Sequence, residues 1–532
     1  MSAHTDTFVR DNLPPAELWP ELKFTLPELQ FPACYNASGM LDRAIASGRG
    51  AHPAVIAADA RLTYAELLAR VNSIANVLTR EMRFQPGNRV LIHAPNTAMT
   101  LAIWWAVLRA GGVAVATMPM LRAVELQIII NKAQISHAFV DGALRAEFEA
   151  ARAASPCMRE VSYFGVGGDL DTRLLEADSL FETCETAADD PALIAFTSGT
   201  TGKPKGCVHF HRDVAAMAET FSRHVLRPQT DDIFCSTAPF AFTFGLGAAV
   251  VFPASVGAAT AIPAKPGFDA LADAIAEHEV TTLFTSPTGY RALTKFAGPK
   301  LASLRQCVSA GEALPKATSD QWCDATGIRL IDGIGATEMI HIFISARGEE
   351  IRPGSTGKPV PGYEAALFDD DNAAIEGAGV GRLAVRGPTG CRYLADEHQR
   401  NYVINGWNVT GDVYARDADG YYTFVSRADD MIISAGYNIA APEVENALLG
   451  HPSVAETAVV AAPDAERGNV VKAFVVLKPD ASACEAMARA LQEHVKQTIA
   501  PYKYPRAIEF VAELPKTNTG KLQRFKLREG RP

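Results

Sequence analysis

Residues 195 to 206 read AFTSGTTGKPKG. Thr197, Ser198, Gly199, Thr200 and Thr201 run into Gly202, and Lys203 and Lys205 then place positive charge on either side of Pro204. Glycines let neighbouring backbone N–H groups turn toward one point, and the hydroxyls add donors, so the stretch can cradle a polyphosphate. It follows an apolar strand candidate, Ala192 to Phe196, and precedes a helical pattern that begins near His211. The G-x-x-x-x-G-K-[ST] loop of P-loop kinases does not fit, because only two residues separate Gly199 from Gly202 and Pro204 follows Lys203.

Such a loop needs a frame. From Arg89 onward, short apolar runs alternate with amphipathic helical stretches: RVLIHAPN before TAMTLAIWWAVLRAGG, ALIAFTSG before HRDVAAMAETFSRHV, and LRQCVSAGEALP before KATSDQWCDATG and IRLIDGIG. This rhythm predicts an α/β fold with largely parallel strands and ligands at their carboxyl ends. From Glu364 to Val425 the chain becomes rich in Gly, Asp and short β-type runs, which predicts an added β-rich subdomain over about 360–428. Beyond SRADD (Ser426 to Asp430) the order becomes strand, helix, two strands, helix, strand, and Met487, Leu491, Val495 and Ile499 form one stripe of a helix over Cys484 to Ile499. The expected division is a large domain of parallel α/β layers over 1–428 and a small α+β domain over 429–532.

Composition narrows the partners. A net charge of -10, with the basic residues dispersed among 60 acids, argues against an extended nucleic-acid surface. Nine cysteines without a Cys-x-x-Cys spacing suggest neither a zinc site nor a redox pair, and a reducing cytoplasm is the expected setting. The first residues carry acids and prolines where a signal peptide needs an apolar core, so no secretion signal is read. The uncharged run Ile233 to Ala264 is broken by Pro239, Pro253, Pro263 and glycines, which predicts buried core rather than a membrane span. The glycine clusters beginning at Gly165 and Gly377 lack the spacing and the acid of a dinucleotide fingerprint and are expected to be loops. Leu449 to Ser453, LGHPS, has the spacing of a phosphopantetheine attachment site but sits at a helix end, so a turn is expected.

The phosphate loop resembles the signature loop of the adenylate-forming enzymes, the family of acyl- and aryl-CoA ligases, luciferases and peptide-synthetase adenylation domains. Further elements follow in the family's order from about Thr63 to Lys526. SAGEALP resembles the stretch that frames adenine, bringing Ser309, Gly311 and Glu312; DGIGATE resembles the adenine and magnesium segment, with Asp332, Gly333 and Gly335, Thr337 on phosphate and Glu338 on the metal. TGDVYARDADGYY supplies Asp412 for the ribose hydroxyls, and SRADD supplies Arg427 beside the same sugar, with Asp429 at the hinge position. ISAGYNIAAPEVE implies a CoA-binding role for Gly436 and Tyr437, and PKTNTGKLQRFKL implies that Lys521 is the catalytic lysine. The resemblance therefore implies ATP, Mg²⁺ and coenzyme A, and a small domain that rotates about its hinge between two half-reactions.

The acid pocket is expected from PFAFTFGLG, with Phe242, Phe244 and Gly245, and from TEMIHIF, with His341 and Ile342, and Ser309 and Gly335 are expected on the acid side of their segments. Aromatic walls suit a flat ring. These runs resemble benzoate-type ligases more than fatty-acyl ligases, and DNLPPAELWP, LPELQFPACYNA and SAGEALP most resemble 2-aminobenzoate-CoA ligases. Two positions depart from the family pattern: Arg382, where an acid is common, and Ile334, where a tyrosine is frequent. Activation of medium-chain fatty acids, loading of a carrier protein, and plain nucleotide binding stay open as alternatives. So does the oligomeric state, a homodimer included.

Overall fold

The computed structural model describes residues 1–58, 60–197, 204–428, 431–434, 437–464, 468–499, 501–516 and 522–528. They gather into two compact units. One comprises Met1–Leu314, Thr318–Ala365 and Val385–Asn408, and the other Pro315–Ala317, Ala366–Ala384 and Val409–Pro532.

Two large sheets lie in the first unit among the described residues. In chain order its strands are β1 (Pro53–Ala57), β2 (Arg61–Thr63), β3 (Arg89–His93), β4 (Val113–Thr117), β5 (His137–Asp141), β6 (Glu160–Phe164), β7 (Pro191–Thr197) and β8 (Lys205–Phe210). They continue with β9 (Ile233–Ser236), β10 (Ala259–Ile262), β11 (Thr282–Thr285), β12 (Gln306–Ser309), β13 (Ile331–Gly335), β14 (Ile342–Ser345) and β15 (Lys358–Pro359). One sheet has the order β6-β5-β3-β4-β7-β8 and the other β15-β14-β13-β12-β11-β9-β10-β1-β2. All neighbours are parallel except β7/β8, β1/β2, β13/β14 and β14/β15.

Parallel strands covered on both faces must be apolar throughout, and β3 is buried at all five residues. The helix Ala98–Arg109 is apolar nearly all round because it packs against β3 and β4 of one sheet and β1 of the other, and every residue except Met99 is buried. The run expected to be core rather than membrane span folds into β9, short helical segments over 243–256, and β10. Among the described residues no helix is long and apolar enough to cross a membrane.

The β-rich stretch contains the strands Glu364–Phe368, Gly379–Arg386, Trp407–Arg416 and Tyr422–Arg427. Within the second unit, Arg382 donates to the carbonyl of Asp369 and to Asn372 Oδ1, so this basic departure from the family pattern clasps a turn. A three-stranded sheet follows, Val454–Asp464 antiparallel to Gly468–Leu477 and that strand parallel to Ala507–Phe510. The expected helical stripe appears in Glu485–Thr498: Leu491 and Val495 are buried in the core with Val459, Val471 and Val444, and Met487 and Ile499 pack against it. LGHPS is the turn between the helix Ala441–Leu449 and the strand starting at Val454.

Candidate active site

The two strands that flank the expected phosphate loop are antiparallel, and Thr197 on β7 pairs with Lys205 on β8. Ser198, Gly199, Thr200, Thr201 and Gly202 lie outside the described residues; the ends of the connection are described. At the far end, the Pro204 carbonyl accepts from Lys132 Nζ at 3.3 Å, and Lys132 pairs with Asp396 at 2.6 Å. Lys205 Nζ stands 5.6 Å from the ring centre of Tyr393.

The segment after β13 is the most constrained part of the site. Asp332 on β13 has a buried Oδ1 without a partner among the described residues, and burial pushes its carboxyl up to about 7. A Cβ on Gly333 would lie 2.8 Å from Ile342 Cδ1, and one on Gly335 would lie 2.8 Å from the His341 carbonyl oxygen, so these glycines let β14 fold back closely. Thr337–Met339 forms one 3₁₀ turn, and Ile340 then adopts φ +64°, a strained conformation for a β-branched residue. Its fully buried side chain helps offset that strain.

Two side chains far away in sequence hold this turn. His209 Nε2 donates to the Thr337 carbonyl at 2.7 Å, and the Tyr393 hydroxyl donates to Glu338 Oε1 at 2.5 Å. Burial first, and the Glu338 carboxylate second, keep the Tyr393 phenol protonated. Burial, then the neighbouring Cys207, raises the Glu338 carboxyl above its ordinary value. Burial alone would lower the imidazole of His209, but Cys207 and Asp213 beside it raise it to about 9. Asp213 is ion-paired with Arg392, and both are fully buried.

The expected acid-pocket wall folds back on itself. Asn96 clasps it, donating to the Ala238 carbonyl at 3.0 Å and accepting from Phe240 N at 2.8 Å. A Cβ on Gly245 would come within 2.3 Å of the Pro239 carbonyl oxygen, so only glycine fits. Phe244 stacks on His341 with ring centres 5.8 Å apart, and Phe252 and Phe221 approach the same imidazole at 4.7 and 5.4 Å. His341 is buried, neither ring nitrogen has a hydrogen bond among the described residues, and burial lowers its pKa to about 3. Phe242 is half-buried at the start of the short helix Thr243–Leu246, and Ile342 is buried on β14. Ser309 ends β12 with its hydroxyl buried and unpartnered among the described residues, Gly311 turns the chain at φ +90°, and Glu312 accepts from Thr288 at 3.0 Å.

In the second unit, Asp412 and Arg427 stand directly opposite each other on paired strands, joined by a 2.9 Å ion pair. Gly411 has φ +76°, and a Cβ there would lie 3.0 Å from Arg427 Nη2. Tyr437 lies on the strand Tyr437–Ala440. Asp429, Gly436 and Lys521 lie outside the described residues. Three residues beyond Lys521, Arg524 is held by the Glu445 carboxylate at 2.7 and 2.9 Å.

Sequence reasoning did not single out His209, Asp213, Arg392, Tyr393, Lys132 or Asn96, because the partner that gives each its role is distant in the chain. Among the described residues no group of three or more His, Cys, Asp or Glu side chains could cage an ion. One buried carboxylate beside Thr337 suits Mg²⁺, which takes one or two carboxylates and fills its shell with phosphate oxygens and water.

A large α/β unit of mostly parallel sheets and a small α+β unit in one chain define the architecture of the adenylate-forming enzymes. The AMP-binding enzyme family model matches residues 42–393 and that of the AMP-binding enzyme C-terminal domain matches residues 443–521; the chain belongs to this family. It is similar to the benzoate–CoA ligase of Thauera aromatica, 36% identical over 516 residues, covering 95% of this chain and 98% of that one. Among solved structures, the anthranilate CoA ligase AuaEII in complex with anthranoyl-AMP matches with a TM-score of 0.90 at 34% identity, covering 95% of this chain and 99% of the other. A benzoate CoA ligase from Burkholderia xenovorans LB400 matches with a TM-score of 0.85 at 33% identity, covering 93% and 100%.

Proposed function

We propose that this chain is an ATP-dependent aryl-carboxylate CoA ligase acting on 2-aminobenzoate or benzoate. The observation that carries the reading is the arrangement of residues 337–342. Thr337 and Glu338 give one end of a tightly folded segment a hydroxyl and a carboxylate, and His341, boxed by three phenylalanine rings, gives the other end a flat aromatic lining. On this reading the nucleotide-and-metal end of one short segment lies beside its aryl end. The full-length likeness to aryl-CoA ligases supports the same substrate class.

A carboxylate is a poor electrophile, because its oxygen is too basic to leave. In the first half-reaction a carboxylate oxygen attacks the α-phosphorus of ATP, the bond to the bridging oxygen breaks, and pyrophosphate leaves with that electron pair. In the second, the CoA sulfur attacks the acyl carbonyl, AMP leaves, and the thiol proton passes to solvent. On this reading Thr197 to Gly202 with Lys205 hold the β and γ phosphates, Gly311, Glu312, Asp332 and Gly333 frame the adenine, and Ser309 faces the acid. Asp412 and Arg427 bind the ribose, and Phe242, Phe244, Gly245, Gly335, His341 and Ile342 line the acid pocket. Bound Mg²⁺, held by Glu338, would neutralise phosphate charge. Lys521 bridges carboxylate and α-phosphate in the first step, so catalysis is positioning and electrostatics. The 429–532 domain turns about Asp429 to clear Lys521 and bring Gly436 and Tyr437 to the pantetheine. Cytoplasmic location, small-molecule partners and a homodimer complete the proposal.

The test is carboxylate-dependent pyrophosphate exchange across benzoates, aminobenzoates, cinnamates and alkanoates, followed by CoA-dependent AMP release. Exchange with benzoates or aminobenzoates and AMP release with free CoA are expected. A preference for medium-chain alkanoates, transfer only to a carrier protein, or ATP binding without exchange would each replace the proposal.

A further inference from the structure

The ties on the Thr337–Glu338 turn share one origin. Residues 392–394 run antiparallel beside β8: Val208 N donates to the Arg392 carbonyl at 2.8 Å, Leu394 N donates to the Gly206 carbonyl at 2.8 Å, and Cys207 bridges Tyr393. This two-ribbon plate starts at Lys205, the stem of the phosphate loop, and sends two side chains to the turn, His209 from one ribbon and Tyr393 from the other. The plate is cross-braced at its far end, where Arg392 pairs with Asp213 and lies 4.0 Å from the ring centre of Phe210. His209, Asp213 and Arg392 are fully buried and Tyr393 nearly so, which leaves none of the four room to swing.

We propose that Tyr393 and His209 are positioning residues for the adenylate-forming step, coupling the stem of the phosphate loop to the Glu338 carboxylate so that both meet the same metal–nucleotide complex in register. Neither is assigned a contact with substrate; each acts through the residue it holds. The Tyr393 hydroxyl donates to Oε1 of Glu338, which orients the carboxylate toward the ion it is read to bind. His209 fixes the peptide of Thr337, and with it the direction in which residue 338 leaves the turn. Side chains that orient a metal ligand carry a large part of its affinity. The inference rests on the proposed role of Glu338 as metal ligand.

The experiment compares Tyr393→Phe, His209→Leu, His209→Gln and Glu338→Gln in the full-length protein. Binding of Mn²⁺·ATP is followed by electron paramagnetic resonance without organic acid, alongside the Mg²⁺ midpoint of pyrophosphate exchange, thioester formation from a supplied aroyl adenylate, and thermal melting. Tyr393→Phe and His209→Leu should raise the Mn²⁺ dissociation constant and the Mg²⁺ midpoint about tenfold while leaving thioester formation unchanged. His209→Gln keeps an N–H donor near the Nε2 position and should recover most of the loss. The inference is overturned if Glu338→Gln shifts both metal readouts while Tyr393→Phe shifts neither, or if Gln at 209 fails as badly as Leu. If Glu338→Gln itself leaves the metal readouts unmoved, it is the assignment of Glu338 that falls, and the inference falls with it.

Discussion

Gly247→Ala probes the aryl end of the site with a single methyl group. Gly247 is helical, so alanine imposes no backbone strain there, but its Cβ would lie 2.5 Å from Cδ2 and 2.6 Å from Nε2 of His341 and 3.0 Å from Cζ of Phe252. Carbon atoms pack comfortably only at about 3.5–4.0 Å, so the imidazole has to retreat by about 1 Å. Phe221, Phe244 and Phe252 close its escape routes. Overpacking of this kind costs about 1–3 kcal/mol, shared between the fold and the pocket. Since about 1.4 kcal/mol is a factor of ten, a rise of about tenfold in KM for the aromatic acid is expected. KM for ATP should not move, because Thr337 and Glu338 are held separately by His209 and Tyr393. Steady-state kinetics with acid and ATP varied in turn, beside a melting curve, checks this. An unchanged acid KM, or equal rises for both substrates, would refute the placement of His341 against the substrate ring.

The Asp213–Arg392 pair should behave as a buried ion pair: Arg392→Met alone leaves the buried Asp213 carboxylate with His209 as its remaining buried counter-charge and costs up to about 3–5 kcal/mol, whereas Arg392→Met with Asp213→Leu recovers part of it in urea unfolding. Equal losses from the single and double variants would contradict the burial argument. His93, His211 and His341 are each held neutral by burial, their pKa values lowered from 6.5 to about 4, 3 and 3. Each of the three therefore binds more protons when unfolded below pH 6.5 and lowers the unfolding free energy by up to about 1.4 kcal/mol per pH unit as pH drops from 6.5 toward 4; Asp332, raised from 3.8 to about 7, acts in the opposite sense over that window and offsets about one of them, so a net fall is expected. Urea titrations at several pH values measure the slope, and no decline between pH 6.5 and 5 would show these side chains to be protonated in the fold. Lys521→Ala should abolish adenylate formation and largely spare thioester formation from a supplied adenylate; equal loss in both half-reactions would remove the lysine from its assigned place.

The sequence alone determined the local elements, because periodicity is a property of neighbours. The apolar run at Arg89–His93 and the stripe through Leu491 and Val495 were legible, since strand and helix each impose a repeat a few residues long; the helix Ala98–Arg109 was legible as a helix, but it was expected to be amphipathic and is buried nearly all round because sheets cover it on both sides. The sequence also named both members of the Phe244–His341 and Asp412–Arg427 pairs, though not that they touch. What only the tertiary structure decided is which polar side chains act and which merely face solvent. His209 meets Thr337 across 128 residues, Tyr393 meets Glu338 across 55 and Asn96 meets Phe240 across 144. A histidine or tyrosine in a strand reads the same whether its partner is water or a site residue. Sheet register and strand order bring the partner, and these are set by long-range packing that no short stretch of sequence encodes.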